Sequence, residues 1–207
     1  MRIVVTRPVG QGDELARRIE ALGHEPILCP LVAIEPLGDD AVDAADYDWL
    51  IVTSVNAARE LERRLRGRPA KVAAIGAATA AAFGGADLIP AVSTQEGLLA
   101  ELPRPAGRVL FAGAEGARRL LVEELGAEFL ALYRTVELQP ELPAAELVVL
   151  ASPSAARAFA RLRVALPAVS IGPETSAAAR AEGVDVVGEA ESHDLEGLVA
   201  AIARAAG

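Results

Sequence analysis

The chain has 207 residues, 52% of them hydrophobic, and a formal charge of -9. That length holds one large or two small domains, and the acidic balance argues against a general nucleic-acid binder, which normally carries a basic face. No apolar run is as long as a membrane span, Cys29 has no partner for a disulfide or a thiolate site, and His24 and His193 have no neighbours at metal-ligand spacing.

Met1 to Pro8 reads as a short strand followed by polar residues and not as a signal peptide, so a cytoplasmic protein is expected. Arg2 to Thr6 forms that strand. Asp13 to Leu22 carries Leu15, Ile19 and Leu22 at helical spacing, Gly23 caps the helix, and Pro26 to Leu28 returns as a strand. The segment 30–47 is rich in Pro and acidic residues and includes a β-like piece, Val32 to Glu35. A longer run follows: strand 49–53, helix 56–66, strand 71–75, helix 77–83, a short strand at 87–89 and helix 95–102. The opening unit then recurs as strand 108–111, a helix from Ala117 to Leu125 capped by Gly126, and strand 128–132. Thr135 to Leu138 is a second β-like piece. Strand 146–151, helix 154–163, strand 168–171, helix 174–182, strand 184–187 and helix 194–205 complete the chain.

The second half echoes the first. Asn56 aligns with Ser154 at an offset of 98, Gly76 with Gly172 at 96, and Glu96-Gly97-Leu98 with Glu196-Gly197-Leu198 at 100. Nearly constant offsets across several elements indicate an internal duplication. Alternating βα units predict parallel sheets with helices on both faces. The short joint Pro103 to Gly107 favours a nested arrangement. In it, an outer domain (1–33 and 140–207) encloses an inner one (38–134), and residues 34–37 and 135–139 are linker strands forming a hinge. A simple tandem of two halves is the competing arrangement.

No phosphate loop, dinucleotide fingerprint or metal-binding cluster is present, so neither a cofactor nor a metal is expected. What remains is a repeated set of hydroxyls, amides and glycines at strand-to-helix turns. Thr53, Ser54 and Asn56 stand at one turn, and Ser152 and Ser154 at its copy; Gly76 with Thr79, and Gly172 with Thr175, mark the second turn of each half. Each is also an ordinary cap or turn residue. Together they offer helix N-termini whose free amides suit carboxylates or phosphates. Arg7 could add a charge-assisted contact, although a solvated arginine is as common. Tyr133 could act as a proton donor in an interdomain cleft or simply pack as a core aromatic.

These residues resemble the uroporphyrinogen-III synthase family over essentially the whole chain. The resemblance rests on Thr6-Arg7-Pro8, Val52 to Asn56, Ile75 to Thr79, Leu132 to Thr135, Leu150 to Ser154, Ile171 to Thr175 and Leu195 to Leu198. It implies two flavodoxin-like doubly wound domains related by duplication and joined by a two-stranded hinge. The activity implied is cofactor-independent cyclisation of hydroxymethylbilane, with loss of water and inversion of the last ring. Tyr133 would then be the catalytic proton donor. Arg7, Thr53, Ser54, Asn56, Gly76, Thr79, Ser152, Ser154, Gly172 and Thr175 would bind the substrate's carboxylates. The chain departs from the family pattern at Val52, Val55, Leu150, Ala151 and His193, the last read as the counterpart of Thr94. A monomer is expected. The rival reading is a two-lobed, non-catalytic binder of a polycarboxylate or other small anionic ligand.

Overall fold

The structure, a computed structural model, describes all 207 residues. In chain order the elements are β1 (Arg2–Val5), α1 (Asp13–Ala21), β2 (Glu25–Leu28), β3 (Val32–Pro36), β4 (Val42–Asp43), β5 (Trp49–Val52) and α2 (Val55–Arg64). Next come β6 (Leu65–Gly67), β7 (Lys71–Ala74), α3 (Ala77–Phe83), α4 (Gln95–Glu101), β8 (Val109–Ala114), α5 (Leu120–Leu125) and β9 (Glu128–Glu137). The chain ends with β10 (Leu147–Leu150), α6 (Pro153–Arg161), β11 (Ala168–Ser170), α7 (Pro173–Ala181), β12 (Val186–Glu189) and α8 (Leu195–Ala206).

Two compact units result: Met1–Ala33 with Val136–Gly207, and Ile34–Thr135. The chain leaves the first within β3 and re-enters it within β9. The first unit holds a five-stranded sheet in the order β12-β11-β10-β1-β2, each neighbouring pair parallel. The second holds β3-β9-β8-β5-β7, with β9, β8, β5 and β7 parallel along that order. The protein is therefore mixed α/β with parallel sheets.

Fully buried strands explain the continuous apolar runs, because each sheet is covered on both faces. In the first unit Ile3, Val5, Leu147 and Val149 pack towards Leu15 and Ile19 of α1 and Leu198 and Ile202 of α8. Val4, Val148 and Leu150, from the opposite face, meet Phe159 of α6 and Ala179 of α7. In the second unit Leu50, Val52, Leu110 and Ala112 meet Ala57 and Leu61 of α2. Trp49, Ile51, Val109 and Phe111 meet Leu98 of α4 and Leu121 of α5. Truncating one such leucine to alanine typically costs about 2–5 kcal/mol.

Several expected boundaries move, each for a local reason. The helix expected to run to residue 66 stops at Arg64, because Leu65–Gly67 pairs with β4 as a small parallel ladder. Gly67 is needed there, since a Cβ would collide with the Asp43 side chain. The helix expected from Ala117 begins at Leu120. Arg119 stacks 3.5 Å from the Phe129 ring centroid, and the Gln95 amide donates to the Arg118 carbonyl at 3.2 Å, which holds both residues outside the helix. The strand expected at 87–89 is a single bridge between Leu88 and Ala73, followed by Pro90, which has no N–H to donate. The strand expected at 184–187 lies at 186–189 instead, because the Val184 N–H is used to close α7 on the Ala179 carbonyl.

Candidate functional site

In parallel α/β sheets, ligands settle beyond the carboxyl ends of the strands where the strand order reverses. The first unit reverses between β1 and β10, the second between β8 and β5. Thr6 and Arg7 with Ser152, and Thr53 and Ser54 with Glu115, stand at those two places. At the first, the buried Thr6 hydroxyl donates to the Val149 carbonyl at 2.7 Å and pins β1 to β10. Arg7, half-buried, follows directly.

The turn after β5 is built around Ser54. Its backbone is extended (φ -160°, ψ 153°), and its Oγ accepts the Ala57 N–H at 3.1 Å, capping α2. Half-buried Thr53 and Asn56 flank it. The Tyr133 hydroxyl lies 2.9 Å from the same Ser54 oxygen. Tyr133 belongs to β9, two strands away from β5, so reaching Ser54 requires two features. β8 carries only small side chains, Ala112 and Ala114, where the phenol crosses. In addition, β9 has a bulge: Gly113 pairs with Ala131, but Ala114 pairs with Tyr133. In a regular strand Tyr133 would share the face of Phe129, away from α2. The extra residue turns it onto the α2 face, a use of bulges that recurs beside active sites.

Tyr133 is 7% exposed. Burial pushes its phenol up from the ordinary value, while hydrogen bonds from Ser54 and Asn56 pull in the opposite direction. The phenol therefore stays protonated through the neutral range, and burial makes it a weaker acid than a free tyrosine.

The corresponding turn of the first unit has the same backbone and different company. Ser152 (φ -165°, ψ 156°) caps α6 by accepting the Ala155 N–H at 3.1 Å, and Pro153 occupies the first helical turn. Its hydroxyl lies 3.0 Å from that of Ser154. No tyrosine belongs to this unit.

The second pair of turns begins with Gly76 and Gly172, the N-caps of α3 and α7, neither of which receives a side-chain cap. Both are extended, so close approach and not backbone conformation calls for glycine. A Cβ on Gly76 would sit 3.0 Å from Ser93 Oγ, and one on Gly172 would sit 2.8 Å from the His193 ring. Thr79 and Thr175, expected beside them, are buried at 5% and 2% exposure.

The pairing of His193 with Thr94 is corrected by this geometry. Thr94 caps α4 by accepting the Gly97 N–H, and the residue doing this for α8 is Asp194, on Gly197. His193 therefore corresponds to Ser93, and each closes over its own glycine. The sequence did hold the signal: carrying the offset of 100 at Glu96 and Glu196 back three residues aligns Ser93 with His193.

Beyond β8, Arg118 grips Glu96 through two bonds of 2.8 and 2.9 Å. That guanidinium, with help from backbone amides, holds the Glu96 carboxyl at about 2. No three His, Cys, Asp or Glu side chains are grouped so as to hold a metal ion. No helix is long and apolar enough to cross a membrane.

Comparison with known proteins supplies the context for these turns. The sequence model of one family, described as uroporphyrinogen-III synthase HemD, matches residues 13–200. The uroporphyrinogen-III synthase of Synechococcus elongatus is 29% identical over 246 aligned residues, covering 97% of this chain and 93% of the relative. A crystal structure of a mutant uroporphyrinogen III synthase from Thermus thermophilus superposes with a TM-score of 0.65 at 18% identity, covering 100% of this chain and 98% of that one, a likeness of fold. With a family model matched over nearly its full length, the chain belongs to the uroporphyrinogen-III synthase family.

Proposed function

We propose that the protein converts hydroxymethylbilane, a linear tetrapyrrole, to uroporphyrinogen III, with loss of water and inversion of the last ring, and that it needs no cofactor. The observation that carries this reading is the buried Tyr133 phenol, re-aimed by a strand bulge onto the helix cap Ser54 at a sheet's switch point.

In this reading Tyr133 gives its proton to the departing hydroxyl of the first ring. The C–O bond breaks, water leaves, and the ring becomes an azafulvene cation. The substituted carbon of the last ring attacks that cation and forms a spiro intermediate. The bond from the last ring to its old methylene bridge then breaks, generating a second cation. Its attack by the unsubstituted carbon closes the macrocycle with that ring turned over. Loss of the proton at that carbon restores the pyrrole, and a proton returns to the phenolate. Only water is lost, and no electrons are exchanged.

Most of the protein's contribution is then positioning, which presents the correct carbon to each cation. Substrate carboxylates are taken by the turns of both units: Thr53 and Asn56, with Ser152 and Ser154, and the uncapped turns at Gly76 and Gly172, while Ser54 is kept for Tyr133. Arg7 adds a charge-assisted contact, and Thr79 and Thr175 contribute from buried positions beneath the glycine turns. The two units are copies of one flavodoxin-like design, with residues 34–37 and 135–139 as the strands of a hinge. Support for the duplication comes from matched details: Ser54 and Ser152 as caps, Thr94 and Asp194 as caps, and Gly97 and Gly197, where any Cβ would strike the Val92 or Ser192 carbonyl. The chain acts as a cytoplasmic monomer.

The test feeds freshly generated hydroxymethylbilane to purified protein stripped by a chelator, then oxidises and separates the porphyrin isomers. Isomer III in excess over the spontaneous isomer I is expected. Isomer I alone from folded protein contradicts the reading and favours a tetrapyrrole binder.

A further inference from the structure

Resting on that reading, we infer that Ser54 is a positioning residue for Tyr133, fixing its hydroxyl as a proton donor, and that Ser54 is not spent on a substrate carboxylate. The argument is a count of lone pairs and protons. A serine hydroxyl has one proton and two lone pairs, and so has a phenol. One Ser54 lone pair is used by the Ala57 N–H at 3.1 Å, the cap that starts α2. Its proton is free for the Tyr133 oxygen at 2.9 Å. Asn56 stands two residues further along α2, and its side chain pulls the phenol's pKa in the same direction as Ser54 does. With the Ser54 proton given to the phenol oxygen, the Tyr133 proton points away from Ser54.

The same Ser54 hydroxyl faces the phenolate once the proton has gone, where hydrogen bonds to a charged oxygen are at their strongest. The bulge in β9 and the cap at α2 thus act together: one brings the phenol to the helix end, the other dictates which way its proton points. Ser152 lacks this arrangement, because its hydroxyl meets another serine, Ser154.

Removing the hydroxyl by Ser54→Ala would confuse a lost donor with a lost cap, so the decisive variant is Ser54→Asp. Aspartate caps a helix as well as serine does, but its ionised carboxylate only accepts. It would draw the phenol proton towards itself and oppose the phenolate. Ser54→Thr, which keeps both cap and proton, is the rescue. The expected result is a fall in kcat of roughly 10–100-fold for Ser54→Asp with little change in KM, near wild-type kcat for Ser54→Thr, and matching circular dichroism spectra.

A second readout needs no turnover. The chain has two tyrosines, so in a Tyr47→Phe background the ultraviolet titration of tyrosinate reports Tyr133 alone. Ser54→Asp should move that titration to higher pH, and Ser54→Thr should leave it in place. An unmoved titration in Ser54→Asp, or a loss confined to KM, overturns the inference and makes Ser54 a substrate ligand. Failure of wild-type protein to form isomer III would instead refute the proposed activity while leaving the titration interpretable.

Discussion

The caps of α2 and α6 invite comparison, because their backbones nearly coincide and their surroundings do not. Ser54 and Ser152 have φ and ψ within a few degrees of each other (-160° and 153° against -165° and 156°), and each accepts the N–H three residues on. What differs comes from outside the turn. In the second unit a bulged strand delivers a tyrosine to the serine; in the first, the serine's hydroxyl meets that of Ser154. In the proposed function, that difference in company gives proton transfer to the Ser54 turn and none to the Ser152 turn.

Breaking the tyrosine side of the comparison should have the largest effect. Tyr133→Phe keeps the packing and removes the proton, and we expect kcat to fall roughly 100-fold or more without reaching zero, as befits general-acid assistance. Residual isomer III is expected because positioning survives. A complete loss in folded protein would show that the phenol does more than donate.

The glycine turns sharpen the contrast more gently. Gly172→Ala drives a methyl into the His193 ring, at 2.8 Å, whereas Gly76→Ala meets only the small Ser93 hydroxyl at 3.0 Å. We expect KM to rise roughly fivefold, about 1 kcal/mol of binding, for Gly172→Ala and less for Gly76→Ala. Initial-rate kinetics on both variants decide the order. The smallest effect concerns the Glu96–Arg118 pair. Its carboxyl is held at about 2, below the ordinary 4.5, so its stabilisation is present above the ordinary value and fades as pH falls towards about 2. Both side chains are well exposed, so the contribution is minor and screened by salt. Thermal midpoints of wild type and Glu96→Gln should differ slightly near neutrality and converge in acid.

The parts of the fold visible in the sequence were those dictated by local chemistry. Continuous apolar strands alternating with amphipathic helices gave parallel α/β sheets, and Gly23 and Gly126 at the ends of α1 and α5 adopt the left-handed conformation that such caps require. The serines at Ser54 and Ser152 were legible as caps for the same reason. The bulge was not. Leu130 to Thr135 contains no glycine or proline to mark it, and the extra residue exists only relative to its partner β8. For that reason Tyr133, read from its place before the second linker, could be either a proton donor or a packing aromatic, and only the family resemblance made it the catalytic candidate. Its contact with Ser54 joins residues 79 apart in sequence, which no periodicity reports. The start of α5 was hidden likewise, since Phe129 and Gln95, which hold Arg119 and Arg118 outside it, lie on other elements.

The most direct test of the asymmetry is a matched pair of variants, Ser54→Ala and Ser152→Ala, assayed for isomer III formation. Each loses one cap bond, worth about 1 kcal/mol of stability, so each controls for the other. The account predicts that Ser54→Ala lowers kcat with KM nearly unchanged, and that Ser152→Ala raises KM with kcat nearly unchanged. Equal effects in the two variants, or the reverse split, would contradict it.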